Sequence, residues 1–247
     1  MKLSPSSVFV LGFALVLGFA PIGRAAEHMM NAAAVALGGH FVKPAAFDVA
    51  KLLPPPPEAG SLAAKTDLDV VLHAQAWRTP EEIEWAKFID KDNPFNHASV
   101  LGAWFTKEKL PVMAKFLSDV TEDANAVGAL TKALYARQRP SQIDPRVKPV
   151  VPVPATAAYP SGHVTRAYTW ALVLAEVFPD QRDALLERAH RAAWGRVLAG
   201  VHFPTDLIGG QLMGEAIVAE LKKSDAFRAG VEQCRQEAAG VALKKAS

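Results

Sequence analysis

The segment PSGHVTRAYTWALVLAEV, residues 160–177, predicts a helix that begins after a loop and is buried along its length. From His163 to Val177 the chain is apolar on most sides of a helical wheel, which is typical of a helix enclosed by other helices. This helix is therefore predicted to lie at the centre of the domain.

Helical patterns continue on both sides of this segment. Apolar spacings of three and four predict a helix from about Lys107, with Pro111 in its first turn, to about Gln138. Thr79 followed by Pro80 is typical of a helix start. No segment alternates convincingly as a strand, so the predicted fold class is all-α, a single-domain helical bundle. The other predicted helices are Glu81–Ile89, Arg182 to about Leu198, Pro204 to about Leu221, and a peripheral helix after Lys222.

The N-terminus predicts an exported protein. Lys2 is followed by an apolar run from Val8 to Ala20 and then by small residues up to Ala25, which is typical of a secretory signal peptide. The run is shorter than the about 20 residues that a membrane-spanning helix needs. Residues 1–25 are therefore predicted to be a signal peptide and the mature protein to be periplasmic. The alternatives are an uncleaved anchor and a buried helix.

Composition indicates a globular domain after this signal. Hydrophobic residues make up 50% of the 247 residues, and the formal net charge of +2 disfavours a strongly basic nucleic-acid binder. Cys234 is the only cysteine, which excludes an internal disulfide and a Cys-only metal site. Residues 26–60 are predicted to form an extended N-terminal arm with the Pro54–Pro57 run, and residues 61–247 the helical domain.

Lys132 and Arg139 belong to the first of three segments that carry candidate chemistry. They are seven residues apart, or two turns of the predicted helix, so both are predicted to project from one face. Arg137 is predicted to lie close to that face. The alternative interpretation is a solvated basic surface.

Ser161, Gly162 and His163 form the second segment, at the start of the central helix. A helix N-terminus offers free N–H groups and the positive end of a dipole, which together bind anions. Gly162 lets a ligand approach the backbone closely. Ser161 is predicted either to bond an anion or to cap the helix, and His163 has the alternative of a satisfied core histidine.

The third segment runs from Gly195 and Arg196 to His202 and Asp206. A carboxylate four residues after an imidazole can accept a hydrogen bond from Nδ1–H, which leaves Nε2 as a nucleophile. Asp206 also fits a first-turn acid that complements the helix dipole.

Together the segments read Lys-x6-Arg-Pro, Pro-Ser-Gly-His and Gly-Arg-x5-His-x3-Asp. This series resembles the signature of the type-2 phosphatidic acid phosphatase superfamily, which includes the bacterial class A non-specific acid phosphatases and the vanadium-dependent haloperoxidases. The resemblance covers about residues 50–235 and implies the helical bundle of that superfamily. The predicted export, the chain length and the proline run resemble those of the class A acid phosphatases in particular. Gly195 stands where the family usually has serine, which is expected to remove a hydroxyl near the pocket.

The resemblance implies a role for each matched residue. His202 would attack phosphorus and become a phosphohistidine, and Asp206 would orient it. His163 would protonate the leaving alcohol and then activate water. The oxygens of the phosphate would be bound by Lys132, Arg139, Arg196, Ser161 and the Gly162 N–H.

The same resemblance implies an acid phosphatase that acts on small phosphomonoesters and needs no cofactor. No metal is expected, because three cations from two of the segments offset the phosphoryl charge, and no His-Glu-x-x-His pattern is present. Inorganic phosphate and vanadate are expected to compete with substrate. No nucleic-acid partner and no membrane span after cleavage are expected, and a homodimer is the default oligomer. The remaining histidines are scattered: His28, His40, His73, His97 and His190.

Three alternatives remain open at this point. A vanadate-dependent haloperoxidase would use the same pocket, although such chains are usually much longer. A lipid phosphatase of the superfamily would usually carry several membrane spans. A degenerate site would only bind an anion. For the phosphatase, His163 must be protonated and His202 unprotonated in the first step, which predicts a bell-shaped pH profile with an acidic to near-neutral optimum.

Overall fold

The computed structural model describes the backbone of residues 39–246 and the side chains of residues 39–241. The predicted signal peptide and the first part of the arm lie outside these residues. Within them every regular element is helical, which confirms the all-α prediction. The long helices are α1 (Leu62–Trp77), α2 (Pro80–Asp90), α3 (Pro111–Tyr135), α4 (Gly162–Val177), α5 (Arg182–Leu198), α6 (Pro204–Leu221) and α7 (Asp225–Ala246); shorter helical turns are Pro44–Ala46, Val49–Leu52, Pro94–His97, Ala98–Leu101, Pro140–Ile143 and Pro179–Gln181.

Helix α4 occupies the centre of the bundle, as its apolar sequence predicts. It packs against α6, α5 and α3 and also contacts α7. Trp170 and Leu174 are almost fully buried, and burying side chains of this size stabilises the fold by about 1.5–3 kcal/mol each. Helices α3, α5 and α6 therefore hold the first turn of α4, with its histidine, in a fixed position.

Two glycines let α6 approach α4 closely. A Cβ on Gly210 would lie only 2.8 Å from the carbonyl oxygen of Ser161, and one on Gly214 would lie 2.9 Å from that of Thr165. Real Cβ atoms do not approach backbone so closely, so any larger residue would push the helices apart. This contact fixes α6, which begins just after His202, against the start of α4.

Helix α1 is the element that sequence analysis missed. Ser61 caps it, because its Oγ accepts a hydrogen bond from Ala64 N–H at 3.2 Å. Only Asp67 and Val71 are buried along its length, so the sequence has no wide apolar stripe that would announce a helix. In contrast, the predicted start of α2 is confirmed by a capping box between Thr79 and Glu82.

The end of α3 corrects the prediction that Lys132 and Arg139 lie on one helical face. The helix ends at Tyr135, and Ala136 turns the chain with a left-handed φ of 41°. Arg139 is extended, with φ −83° and ψ 158°, because the following Pro140 disfavours the helical conformation before it. The two cations therefore reach their positions from different elements.

The proline run packs against the helical domain. Tyr135 donates its hydroxyl proton to the Leu53 carbonyl at 2.9 Å, and Tyr159 donates to the Pro54 carbonyl at 2.7 Å. Leu53 is buried. Two helical turns precede this run, so the described part of the arm is not extended throughout. Of the helices in residues 39–246, none is long and apolar enough to cross a membrane.

Candidate active site

His202 and Asp206 form a buried pair at the start of α6. The His202 ring is 1% exposed and the Asp206 carboxylate is fully buried. His202 Nδ1 lies 3.2 Å from Asp206 Oδ2, and Phe203 N–H donates to the same oxygen at 2.9 Å. Arg139 Nη1 lies 3.1 Å from His202 Nε2. Since a guanidinium can only donate, this contact assigns the lone pair to Nε2 and the proton to Nδ1.

The charge around His202 keeps its ring neutral. Burial lowers the pKa of His202 well below its ordinary value, and the positive charges of Arg139, Arg196 and Lys132 lower it further. Nε2 therefore keeps its lone pair under acidic conditions.

A second ion pair lies behind Asp206. Arg137 Nη1 donates to Asp206 Oδ1 at 2.6 Å, and Arg137 Nη2 donates to Asp67 Oδ2 at 2.7 Å. Thr205 joins the network through hydrogen bonds to both oxygens of Asp67. Burial raises the pKa of Asp206, and the positive charge of Arg137 opposes that rise. Arg137 therefore favours the ionised form of a deeply buried carboxylate.

One cavity of about 270 Å³ connects the predicted segments. Lys132, Arg139, Gly162, His163 and His202 all line it. No aspartate or glutamate is among its lining residues in the described part of the chain. An acid-free, cation-lined cavity is suited to an anion.

The cations of this cavity are held by backbone carbonyls. Lys132 Nζ donates to Ala157 O at 2.5 Å and to Pro160 O at 3.0 Å. The buried Arg139 donates through Nη1 to Val201 O at 2.8 Å and through Nε to Thr156 O at 3.0 Å. These carbonyl oxygens carry no formal charge, and they fix the positions of both groups in advance.

Ser161 and Arg196 lie fully buried beside the cavity rather than on its lining. Arg196 Nη1 donates to Asp90 Oδ1 at 3.0 Å. Its Nε and Nη2 atoms, like Ser161 Oγ, have no hydrogen-bond partner among the described residues. Of the two possibilities for Ser161, capping of the helix by its side chain is not observed, and the contact with an anion stays a prediction. Leaving such donors unsatisfied costs about 1–3 kcal/mol each, a cost that a bound anion would relieve.

His163 projects into the cavity from the first turn of α4. Its Nε2 lies 3.2 Å from the Asp90 carbonyl oxygen, which assigns the proton of the neutral ring to Nε2. Burial lowers the pKa of His163, and Arg166 and Arg196 lower it further. Nε2 has the carbonyl partner that the alternative of a satisfied core histidine expects, but the half-buried ring also lines the cavity.

Gly195 does not face the cavity. A Cβ at this position would meet the indole of Trp85 at 3.3 Å and Ile89 at 3.6 Å, in the contact between α5 and α2. The expectation that glycine here removes a hydroxyl near the pocket is therefore wrong, because a side chain would point away from the anion site.

Several residues of the site are not among the predicted site residues. Arg166 and Asn125 line the cavity; the sequence places Arg166 one turn after His163, within reach of the pocket rim, but it matches no position of the signature. Asp90 accepts a hydrogen bond from Arg196. Asp67 accepts one from Arg137, which in turn donates to Asp206. Arg137 was interpreted only as a member of a basic face, and it is nearly buried. Its two carboxylate partners are 70 and 69 residues away, and no local pattern could have revealed them.

A cluster outside the cavity has metal-ligand chemistry. His40, Asp119 and Glu122 present ligand atoms within 4.8 Å of one another. The cluster already has internal partners, because His40 Nε2 lies 2.8 Å from Glu122 Oε2 and Lys115 Nζ donates to Asp119 at 2.5 Å. The hydrogen bond to Glu122 raises the pKa of His40. None of these residues lines the cavity.

Comparison with known proteins agrees with this geometry. Residues 116–228 match the model of the PAP2 superfamily. The chain is similar to the non-specific acid phosphatase of Providencia stuartii, with 29% identity over 204 residues, 78% of this chain and 81% of that protein. The non-specific acid phosphatase of Salmonella typhimurium is 26% identical over 194 residues, covering 75% and 78%. A bacterial vanadium-dependent chloroperoxidase has a similar fold, with a TM-score of 0.63 at 14% identity over 80% of this chain and 55% of that one.

Proposed function

We propose that this chain, which carries a PAP2-superfamily domain and is a phosphoric monoester hydrolase of the acid phosphatase type, hydrolyses phosphate monoesters of broad structure. We further propose that the reaction passes through a phosphohistidine intermediate, needs no metal ion and takes place after export to the periplasm. The observation that carries the mechanism is one acid-free cavity lined by both imidazoles and by Lys132 and Arg139. Export rests on the signal-peptide pattern of residues 1–25.

The cavity binds the phosphoryl group by charge and by preorganised donors. Lys132 and Arg139 offer a positive field, and the unsatisfied donors of Arg196 and Ser161 lie beside it. A phosphate monoester dianion repels nucleophiles, so most of the catalysis of its hydrolysis consists of positioning and charge stabilisation. These donors are held by the fold before substrate arrives, which avoids the cost of reorganising them.

The first chemical step transfers the phosphoryl group to His202. Nε2 attacks phosphorus, the bond from phosphorus to the ester oxygen breaks, and His163 donates a proton to that oxygen. The imidazole of phosphorylated His202 is positively charged, and Asp206 stabilises it through Nδ1–H. In the second step His163 takes a proton from water, the water oxygen attacks phosphorus and the bond from phosphorus to Nε2 breaks, which releases inorganic phosphate and neutral His202.

The protonation states favour acidic conditions. His202 stays neutral at low pH because burial and three cations depress its pKa. His163 has a lowered pKa in the unliganded cavity, and the negative charge of a bound phosphate raises that pKa again. Substrate therefore brings His163 to the protonated form that the first step needs. This supports an acidic to near-neutral optimum.

The proposal predicts activity that survives chelation. Purified mature protein is expected to hydrolyse p-nitrophenyl phosphate and several unrelated phosphomonoesters at the same rate with and without excess EDTA, because the cations that offset the phosphoryl charge are side chains. The measurement is initial rate across the panel, with vanadate added as a competitor. An EDTA-sensitive rate restored by a divalent ion would contradict metal independence, and no hydrolysis of any ester would contradict the function.

Arg137→Gln is expected to reduce kcat/KM by about 10- to 100-fold and to move the acidic limb of the pH profile upward. Without Arg137 the already raised pKa of Asp206 rises further. Protonated Asp206 cannot accept the His202 Nδ1–H, so activity is lost as pH falls through that pKa, and a higher pKa places the loss at higher pH. The measurement is kcat/KM against pH.

A matched control is Arg146→Gln, because Arg146 is exposed and pairs only with Asp144 among the described carboxylates. It is expected to leave the profile unchanged. Reduced activity of Arg137→Gln with an unmoved acidic limb would show that Arg137 contributes to folding alone.

A further inference from the structure

Arg166 is a cation of the cavity to which the mechanism above gives no role. It lies one turn after His163 on α4 and lines the cavity directly. Its Nη1 donates to the side-chain oxygen of Asn125 at 3.1 Å. A Cβ placed on Gly162 would lie 3.8 Å from this Nη1 and 3.7 Å from Lys132 Cε. Arg166 therefore stands beside the phosphate cradle, within reach of the same ligand.

No carboxylate of the described residues forms an ion pair with Arg166. Its hydrogen-bond partner, Asn125, is neutral. Asp92 raises the pKa of Arg166 from a distance, but that carboxylate is engaged by Arg188 through two hydrogen bonds of 3.1 and 2.7 Å. Burial and Arg196 lower the pKa of Arg166 to about 10, so it remains charged at the acidic to neutral pH of the proposed reaction. Its charge is available to a ligand.

The cavity is longer than one phosphoryl group needs. Its α3 wall extends from Ala124 and Asn125 to Lys132, and seven residues of helix rise about 10 Å. The Lys132 ammonium is held toward the carbonyls of Ala157 and Pro160, whereas Arg166 is held at the Asn125 end. The volume of about 270 Å³ is many times the about 10–15 Å³ that one bound water needs. Lys132 and Arg166 flank the same Gly162 and are held in different directions, so a phosphoryl group at Lys132 leaves Arg166 within reach of a neighbouring part of the same substrate.

Resting on the proposed function, we propose that Arg166 is a specificity-determining residue that binds a second anionic group on the leaving-group side of the substrate. The enzyme then prefers phosphomonoesters whose alcohol part carries a carboxylate or a further phosphate close to the ester oxygen. A guanidinium binds either group through two parallel hydrogen bonds. The side chain of Asn125 positions Arg166 for this contact.

The test compares pairs of substrates that differ in the second anion. 2-Phosphoglycolate and 2-hydroxyethyl phosphate have the same length and differ by a carboxylate; ethane-1,2-diol bisphosphate and 2-methoxyethyl phosphate form the second pair, in which both leaving groups are alkoxides. For each pair, kcat/KM of the substrate with the second anion is divided by kcat/KM of the substrate without it. This ratio is measured for wild type, Arg166→Gln and Arg166→Lys. We expect a wild-type ratio above one in at least one pair, a fall of about tenfold in Arg166→Gln, and an intermediate ratio in Arg166→Lys.

The outcomes separate this inference from the proposed function. If Arg166→Gln lowers the ratio of the first pair, the second anion that Arg166 binds is a carboxylate. If it lowers the ratio of the second pair, that anion is a phosphate. An equal loss on both members of each pair, or no change in either ratio, overturns the inference. Titration of the same ligand pairs into His202→Ala, with and without Arg166→Gln, gives the ratio of dissociation constants without turnover. A chain that hydrolyses none of the four esters refutes the function, and the binding ratio still decides the role of Arg166.

Discussion

Replacing His202 by alanine is expected to lower kcat for every phosphomonoester by at least about 10⁴-fold. The reason is that Nε2 is the only protein atom in the proposed scheme that forms a bond to phosphorus. The cations of the cavity are untouched by the substitution, so inorganic phosphate should still bind. The measurements are steady-state kcat and a phosphate titration of the inactive variant.

His73→Ala is the matched control, because His73 is an exposed histidine on α1 whose Nδ1 bonds locally to the Asp69 carbonyl. It is expected to keep full activity. An active His202→Ala protein would remove the nucleophile from the scheme. A His202→Ala protein that neither turns over nor binds phosphate, with an unchanged melting temperature, would indicate that the histidine is needed for binding rather than for attack.

His163→Ala is expected to have the second largest effect, about 10²- to 10⁴-fold on alkyl phosphates. An alkoxide is a poor leaving group without the proton that His163 supplies. p-Nitrophenolate is a much weaker base and leaves without protonation, so phosphorylation of His202 should survive with that substrate. The variant should then release one equivalent of p-nitrophenol in a burst and turn over slowly, because water activation also lacks its base.

Stopped-flow absorbance of p-nitrophenol release measures this burst. An equal reduction of the burst rate with p-nitrophenyl phosphate and of the rate with an alkyl phosphate would contradict the role of His163 as general acid. The wild-type protein is the reference for both substrates, and His73→Ala again controls for loss of a histidine elsewhere.

Much of the bundle could be predicted because its helices have local signals. The apolar α4, the proline starts of α2 and α6 and the long stripe of α3 each follow from residues that are close in sequence. Helix α1 has no such stripe, since only Asp67 and Val71 are buried. The end of α3 at Tyr135 depends on the left-handed conformation of Ala136. Alanine rarely adopts this conformation, so the sequence does not predict it.

The candidate site also has a part that follows from local sequence and a part that depends on tertiary structure. The spacing of His202 and Asp206 predicts their pairing, because four residues form one turn. Arg137 lies opposite Asp67 and Asp206 only after α1 and α6 have packed, so its role depends on tertiary structure. Arg166 stands on a predicted helix, yet its exposure to the cavity and its neutral partner Asn125 depend on where α3 lies.

The central claim is that phosphate passes through a covalent bond to His202. Wild-type protein is quenched during turnover of a ³²P-labelled monoester and digested with trypsin. The peptide of residues 197–222 contains His202 as its only histidine, and that of residues 147–166 contains His163. The account predicts acid-labile, base-stable label in the first peptide. Label in the second peptide, or base-labile label on Ser161, would contradict it.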